Sequence, residues 1–293
     1  MRYIDRNGTV TVEDIQQDRF LRHLYNDRGG RLCLRILVNP AVSVLGGCFL
    51  NSSVSKRMIP GFIQRNRIDL SEYEPKEYGS YNDFFTRKIR PGMRPLPEEG
   101  SALVSPCDGK VTVCPITDGQ HFRIKETEYT LEELLKNRAL AERYAGGTAL
   151  IIRLTVDNYH HYIYPASGRK SRQVRIKGVL HTVNPAANDV CPIYVENSRE
   201  YCLIRTEEFG TLLQMEVGAL MVGKITNFHP GEEKVSRGEE KGCFEFGGST
   251  VILLVRKGKA VIDSDLLENT AGGYETMIKM GEKIGESQLS ERT

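Results

Sequence analysis

The chain has 293 residues, 40% of them apolar and 27% charged, enough for one large domain with a sizeable core. These proportions exclude a collagen-like, coiled-coil or largely disordered chain. The formal net charge is only +2, but residues 1–95 carry a balance of +6 and the remainder −4, so the first third suits an anionic partner or forms a solvated basic face.

In chain order, Thr11 to Tyr25 predicts a helix, with Phe20, Leu21, Leu24 and Tyr25 on one face and Gly29-Gly30 as its stop. A second helical stretch starts at Arg31. Leu32 to Leu50 is the most apolar early run, but Arg35, Asn39, Pro40 and Ser43 interrupt it. A spanning helix needs roughly 20 mostly apolar residues, so a helix lying on a surface is expected rather than one crossing a membrane. Ser53 to Arg65 reads as a third helix weakened by Pro60-Gly61. Residues 1–77 are therefore expected to be a helical, membrane-associating segment. Tyr81 to Pro95 reads as a stiff connector carrying Phe84-Phe85 and several basic residues.

From Leu103 the pattern changes to short strands: Lys110–Cys114, Thr148–Val156, Ser171–Leu180, Tyr201–Thr206, Thr211–Val222, Thr250–Val255 and Ala260–Ile262. One helix interrupts them, opened by the capping pair Thr130 and Glu133. Glycines punctuate the strands closely enough to favour antiparallel pairing over alternating β-α units. The expected class is α+β: an N-terminal helical segment, then a mostly antiparallel β core over 78–293.

The seven cysteines are scattered, and Cys33, Cys48, Cys202 and Cys243 lie in apolar or strand-like runs. Reduced, mostly buried thiols are expected, with no metal site. No signal peptide is read at the start, and the absence of a recognised nucleic-acid motif argues against a nucleic-acid partner.

The sharpest chemical feature is Glu239-Glu-Lys-Gly-Cys-Phe-Glu-Phe-Gly-Gly-Ser-Thr250. Two glycines place the hydroxyl of Ser249 at a tight turn that leads directly into Val251-Ile-Leu-Leu-Val255. Alone, such a cluster usually marks a loop between strands. Here it resembles the cleavage site of the phosphatidylserine decarboxylase family. Four further segments resemble that family in the same order: Asn82-Asp-Phe-Phe-Thr-Arg87 with Arg94-Pro95, Ser105-Pro-Cys-Asp-Gly109, Asp157-Asn-Tyr-His160 with Pro165, and Val217-Gly-Ala-Leu-Met-Val-Gly223.

The resemblance implies a self-processing proenzyme. Ser249 would attack the carbonyl of Gly248 and cut the chain there, leaving a covalent pyruvoyl group on residue 249 as the only cofactor. That carbonyl would draw electrons as carbon dioxide leaves phosphatidylserine. Asp108 is implied as the carboxylate of the processing triad and His160 as the histidine of the decarboxylation step. The family's second histidine, the partner of the processing serine, falls at Ile163, which cannot move a proton. His181 in Leu180-His-Thr-Val-Asn-Pro185 is the expected substitute base; Asn184 and Thr182 stand beside it without an assigned role. The resemblance further implies a phospholipid substrate on an anionic membrane surface, peripheral attachment at its cytoplasmic face, association of large and small chains after cleavage, and a homodimer. A pyruvoyl decarboxylase of a soluble amino acid and an unprocessed lipid-binding module are the alternatives that the sequence leaves open.

Overall fold

The computed structural model describes residues 2–12, 25, 30, 34, 38–183, 185–188, 192–219, 224–245 and 249–288. Eight strands matter for the site: β1 (Gly109–Pro115), β2 (Thr148–Leu154), β3 (His161–Ile163), β4 (Arg199–Arg205), β5 (Thr211–Val217), β6 (Glu240–Glu245), β7 (Ser249–Val255) and β8 (Glu275–Ile278). The largest sheet among the described residues has eleven strands, and its middle runs β4-β5-β7-β2-β1-β8. Every pairing within that middle is antiparallel, which is the expected α+β core.

β7 is buried at all seven positions. Its run of Val, Ile and Leu suits a central strand covered on both faces. Alternation along the strands separates two apolar layers. Leu213, Met215, Val217, Ile252 and Leu254 enter one, and Leu212, Val251, Leu253 and Leu154 enter the other. The second face is roofed by a three-stranded sheet in which β6 lies between Lys224–Asn227 and β3. A third small sheet joins Ala260–Ile262, Lys283–Ser287 and Ala102–Val104.

Among the described residues, α1 (Pro40–Leu50), the 3-10 turn Ser53–Met58 and α2 (Ile59–Asn66) lie ahead of the core. Pro60 opens α2 instead of breaking it, because a proline in the first helical turn lacks only an N–H that would have no partner there. The helix expected from Thr11 does not begin there: Val10–Val12 is a strand paired with Arg2–Ile4, which joins β8 in parallel. The first residues of the chain thus extend the largest sheet, while residues 13–24 lie outside the described residues. Of the expected strand Ser171–Leu180 only Val174–Ile176 forms as a strand, with a separate one before it. Gly168–Lys170 and Val174–Ile176 pair with opposite ends of β4, and the Ser171 hydroxyl accepts from Leu203 N–H between them. The capping pair forms as expected: Thr130 Oγ1 accepts from the Glu133 N–H at 3.2 Å.

The connector from Tyr81 is a short helix, α3 (Tyr81–Phe85), capped by Ser80. Phe84 and Phe85 are buried. Arg87 is buried too, with its guanidinium 4.2 Å from the Tyr73 ring centroid. This segment is a core element and presents no aromatic–basic surface.

A buried ion pair ties β2 to β8: Arg153 holds Glu275 at 3.1 and 2.6 Å. Burial alone would raise the Glu275 carboxyl, but Arg153 outweighs it and holds it below the ordinary value. Because the folded value is depressed, this stabilisation is complete above the unfolded carboxylate range and is lost as the pH falls through the folded value. Glu275→Gln is expected to cost about 3–5 kcal/mol at neutral pH and to flatten the acid side of the stability profile, as urea melts across a pH series would show.

Candidate active site

Ser249 opens β7, and its register fixes the site. Ser249 lies opposite Leu154, the last residue of β2; on the far side of β2, Lys110 lies opposite Arg153, so Asp108 stands just beyond the same end of the sheet. Gly109 is required at the entry to β1, where a Cβ would meet the Arg153 carbonyl oxygen at 2.8 Å. The pair Asp108-Gly109 is therefore a strand start pressed against its neighbour, not a free surface turn.

Ser249 is fully buried, and its Oγ has no hydrogen-bond partner among the described residues. Such a hydroxyl costs free energy unless something else uses it. Gly248, the other half of the scissile bond, lies outside the described residues.

Asp108 is held firmly. Arg94 grips it with two hydrogen bonds, at 2.9 and 2.6 Å, and the Met280 N–H donates to Oδ1 at 2.8 Å. Arg94 also reaches Glu72 at 3.1 Å. Burial would lower the Arg94 guanidinium, but these two carboxylates keep it raised. Ile163, where the resemblance places a histidine, is packed with Val104, Tyr159 and Met280. The space beside the Asp108 anchor is thus filled by an apolar side chain.

His160 follows the turn that leaves β2. It is fully buried, its Nδ1 lies 2.8 Å from the Asn158 carbonyl, and its ring centroid is 4.1 Å from that of Phe85. Its carbonyl accepts from the Phe244 N–H at 2.9 Å, on the strand that leads to residues 246–248. Ser249 and Asp108 therefore stand at one end of the sheet, and His160 is tied to β6 of the roof. His161 points elsewhere, stacked on Tyr159 and bonded to Glu240.

His181 does not join them through any contact among the described residues. Its Nδ1 meets Tyr25 Oη at 3.2 Å and its Nε2 meets Glu196 at 3.0 Å. Burial lowers its value, partly countered by Glu196. It sits on the β4 flank, where Asn197 Nδ2 bridges the His181 and Gly218 carbonyls. Thr182 donates its N–H to Tyr25 Oη, and Asn184 lies outside the described residues.

Sequence reasoning missed a buried ionic network on the face that Ser249 shares. Lys241 Nζ bonds Glu216 Oε2 at 2.7 Å and Asn227 Oδ1 at 2.7 Å, and Gln173 donates to the same Glu216 oxygen at 3.1 Å. The signal was a carboxylate and an amide inside a mostly apolar strand, in Leu212-Leu-Gln-Met-Glu-Val217.

A buried serine hydroxyl with no partner among the described residues heads the central strand, at the sheet end beyond which the anchored carboxylate of Asp108 stands. The phosphatidylserine decarboxylase family model matches residues 81–286. The chain is 45% identical to phosphatidylserine decarboxylase proenzyme 2 of Clostridium acetobutylicum, over 91% of each chain. It is 39% identical to the phosphatidylserine decarboxylase proenzyme of Ruminiclostridium cellulolyticum, over 97% of this chain and 96% of that one. It is 38% identical to the proenzyme of Fusobacterium nucleatum, over 97% of each. The chain belongs to the phosphatidylserine decarboxylase family, and so to the carboxy-lyases.

Removing Arg94 would leave Asp108 buried without its cation. Arg94→Met is expected to destabilise the protein by about 3–5 kcal/mol, read from urea melts, and to slow any reaction that depends on the Asp108 anchor.

Proposed function

We propose that Ser249 cuts its own chain at the Gly248–Ser249 bond, and that the resulting two-chain enzyme converts phosphatidylserine to phosphatidylethanolamine and carbon dioxide. The observation that carries this reading is the Ser249 hydroxyl: fully buried, unpartnered among the described residues, and set at the head of β7. Attack by Oγ on the Gly248 carbonyl turns the peptide bond into an ester. Elimination releases residues 1–248 with a new carboxylate, and hydrolysis of the dehydroalanine left behind yields a pyruvoyl group and ammonia. Ser249 fits this conversion, since its side chain has no structural bond to lose among the described residues.

The pyruvoyl carbonyl, once formed, supplies an electron sink for decarboxylation. The chain's own residues do the rest. His160, buried against Phe85, stands at the site as the proton donor to the substrate carbon. Asp108, fixed by Arg94 and Met280, holds the turn at residues 105–108 against the sheet end. The roof keeps water from the reacting centre.

The small chain, residues 249–293, would stay embedded. β7 lies between β5 and β2, and β8 lies against β1, so strands of the large chain flank it. Two acyl chains of the substrate remain in the bilayer, so the enzyme must dock there. Leu45 at 71%, Val54 at 59% and Phe49 at 51% exposure form, with exposed Lys56 and Arg57, an apolar surface edged by positive charge. This combination suits peripheral binding to anionic lipid. Among the described residues no helix is long and apolar enough to cross a membrane. Attachment at the cytoplasmic face and a homodimer belong to the proposal by family analogy alone.

Intact mass measurement of the denatured protein tests the reading. Two chains split between 248 and 249 are expected, the smaller lighter than a serine-started peptide by the change to pyruvoyl. One uncut chain near 33.0 kDa would overturn it and favour a lipid-binding module. Release of carbon dioxide from phosphatidylserine vesicles but not from free serine or tryptophan is expected; the reverse would mean a soluble substrate. Phe49→Glu with Leu45→Glu should weaken sedimentation with anionic vesicles at least tenfold and leave chain cleavage intact.

A further inference from the structure

Ile163 leaves the processing serine without the histidine that the family resemblance leads one to expect, and the ring nitrogens of His181 are bonded to Tyr25 and Glu196. Glu216 is better placed. On β5 it lies directly opposite Val251 of β7. Side chains alternate along a strand, so Ser249, two residues before Val251, projects from the same face as Glu216. Val217 lies opposite Thr250, which brings Gly218 level with Ser249. With no side chain at Gly218, the diagonal from Glu216 to Ser249 is left open. Diagonal neighbours on adjacent strands have Cα atoms roughly 7–8 Å apart, within reach of a long side chain.

Two unpartnered atoms sit on this diagonal. Glu216 is fully buried; its Oε2 is spent on Lys241 and Gln173, while its Oε1 has no hydrogen-bond partner among the described residues. Ser249 Oγ is in the same condition. Gln214, two residues before Glu216, donates to the Ile163 carbonyl at 3.2 Å, so the position that lacks its histidine lies over this stretch of β5. A buried ion pair such as Glu216–Lys241 is weak support for stability, because apolar residues of similar volume often serve as well. Stability therefore gives no sufficient reason for it.

We propose that Glu216, poised by Lys241, is the base that takes the Ser249 proton in self-cleavage. This rests on the reading of Ser249 as the processing nucleophile. The proton passes from Oγ to Glu216 Oε1, directly after a side-chain turn or through one water. The Oγ–C bond to Gly248 forms, the Gly248–Ser249 C–N bond breaks, and Glu216 returns the proton to the departing nitrogen. Burial raises the Glu216 carboxyl above its ordinary value, against the opposing effect of Lys241, which makes it a stronger base than an exposed glutamate.

The test follows cleavage of the freshly synthesised full chain over time by intact mass, with a thermal melt to show folding. Ser249→Ala fixes the uncut baseline. Glu216→Gln should slow cleavage at least a hundredfold, and Glu216→Asp, which keeps a carboxylate, should slow it about tenfold. Because Glu216→Gln strands a buried lysine, the double variant Glu216→Gln with Lys241→Met is measured beside it; it removes both charges and is expected to melt cooperatively yet stay uncut. A folded double variant that cuts at the wild-type rate overturns the proposal while leaving Ser249 as nucleophile. Cleavage lost in His181→Ala but kept in Glu216→Gln assigns the proton to His181 and also overturns it. An uncut wild-type chain takes down both this inference and the reading of Ser249.

Discussion

The site depends on the register of β7 against β2. Seven consecutive pairs, from Ser249 opposite Leu154 to Val255 opposite Thr148, lock the central strand in place. A slip of one residue would turn every side chain to the other face. Ser249 would then leave the face that it shares with Glu216. The two apolar layers prevent the slip, since each holds alternate residues of the same strands.

That lock also explains how a chain could be cut at its centre and remain one structure. The bond before Ser249 lies at a strand end, so cutting it would leave the pairs from Thr250 to Val255 in place. The segment that follows could not bury its own core, but its strands are already shared with β5, β2 and β1. Arg153 and Glu275 add a buried ionic link across the same boundary.

Among the described residues, the three buried carboxylates each have a cation that fixes geometry. Arg94 holds Asp108, Lys241 holds Glu216, and Arg153 holds Glu275. Such pairs cost desolvation and return specificity only when the geometry is well satisfied. Two are satisfied on both carboxylate oxygens. Glu216 is the exception, with one oxygen bonded and the other not.

Much of this was legible in the sequence. The apolar run after Ser249 had to be a covered strand, and Thr130 with Glu133 had to cap a helix, because both signals are local. The ordered motifs carried the family, and through it the expectation of Ser249 as nucleophile with Asp108 and His160 beside it. Other features depended on partners far away in the chain. Val10–Val12 became a strand because β8 offers its neighbours an edge. Phe84 and Phe85 read as part of a stiff connector and are core, because α3 packs them under the roof. Arg94 met Asp108, and Glu216 came to lie across from β7, only through strand pairing. The sequence by itself determined which residues could do chemistry; only the tertiary structure decided which of them share a face, because register and burial are set by contacts between segments that no local pattern records.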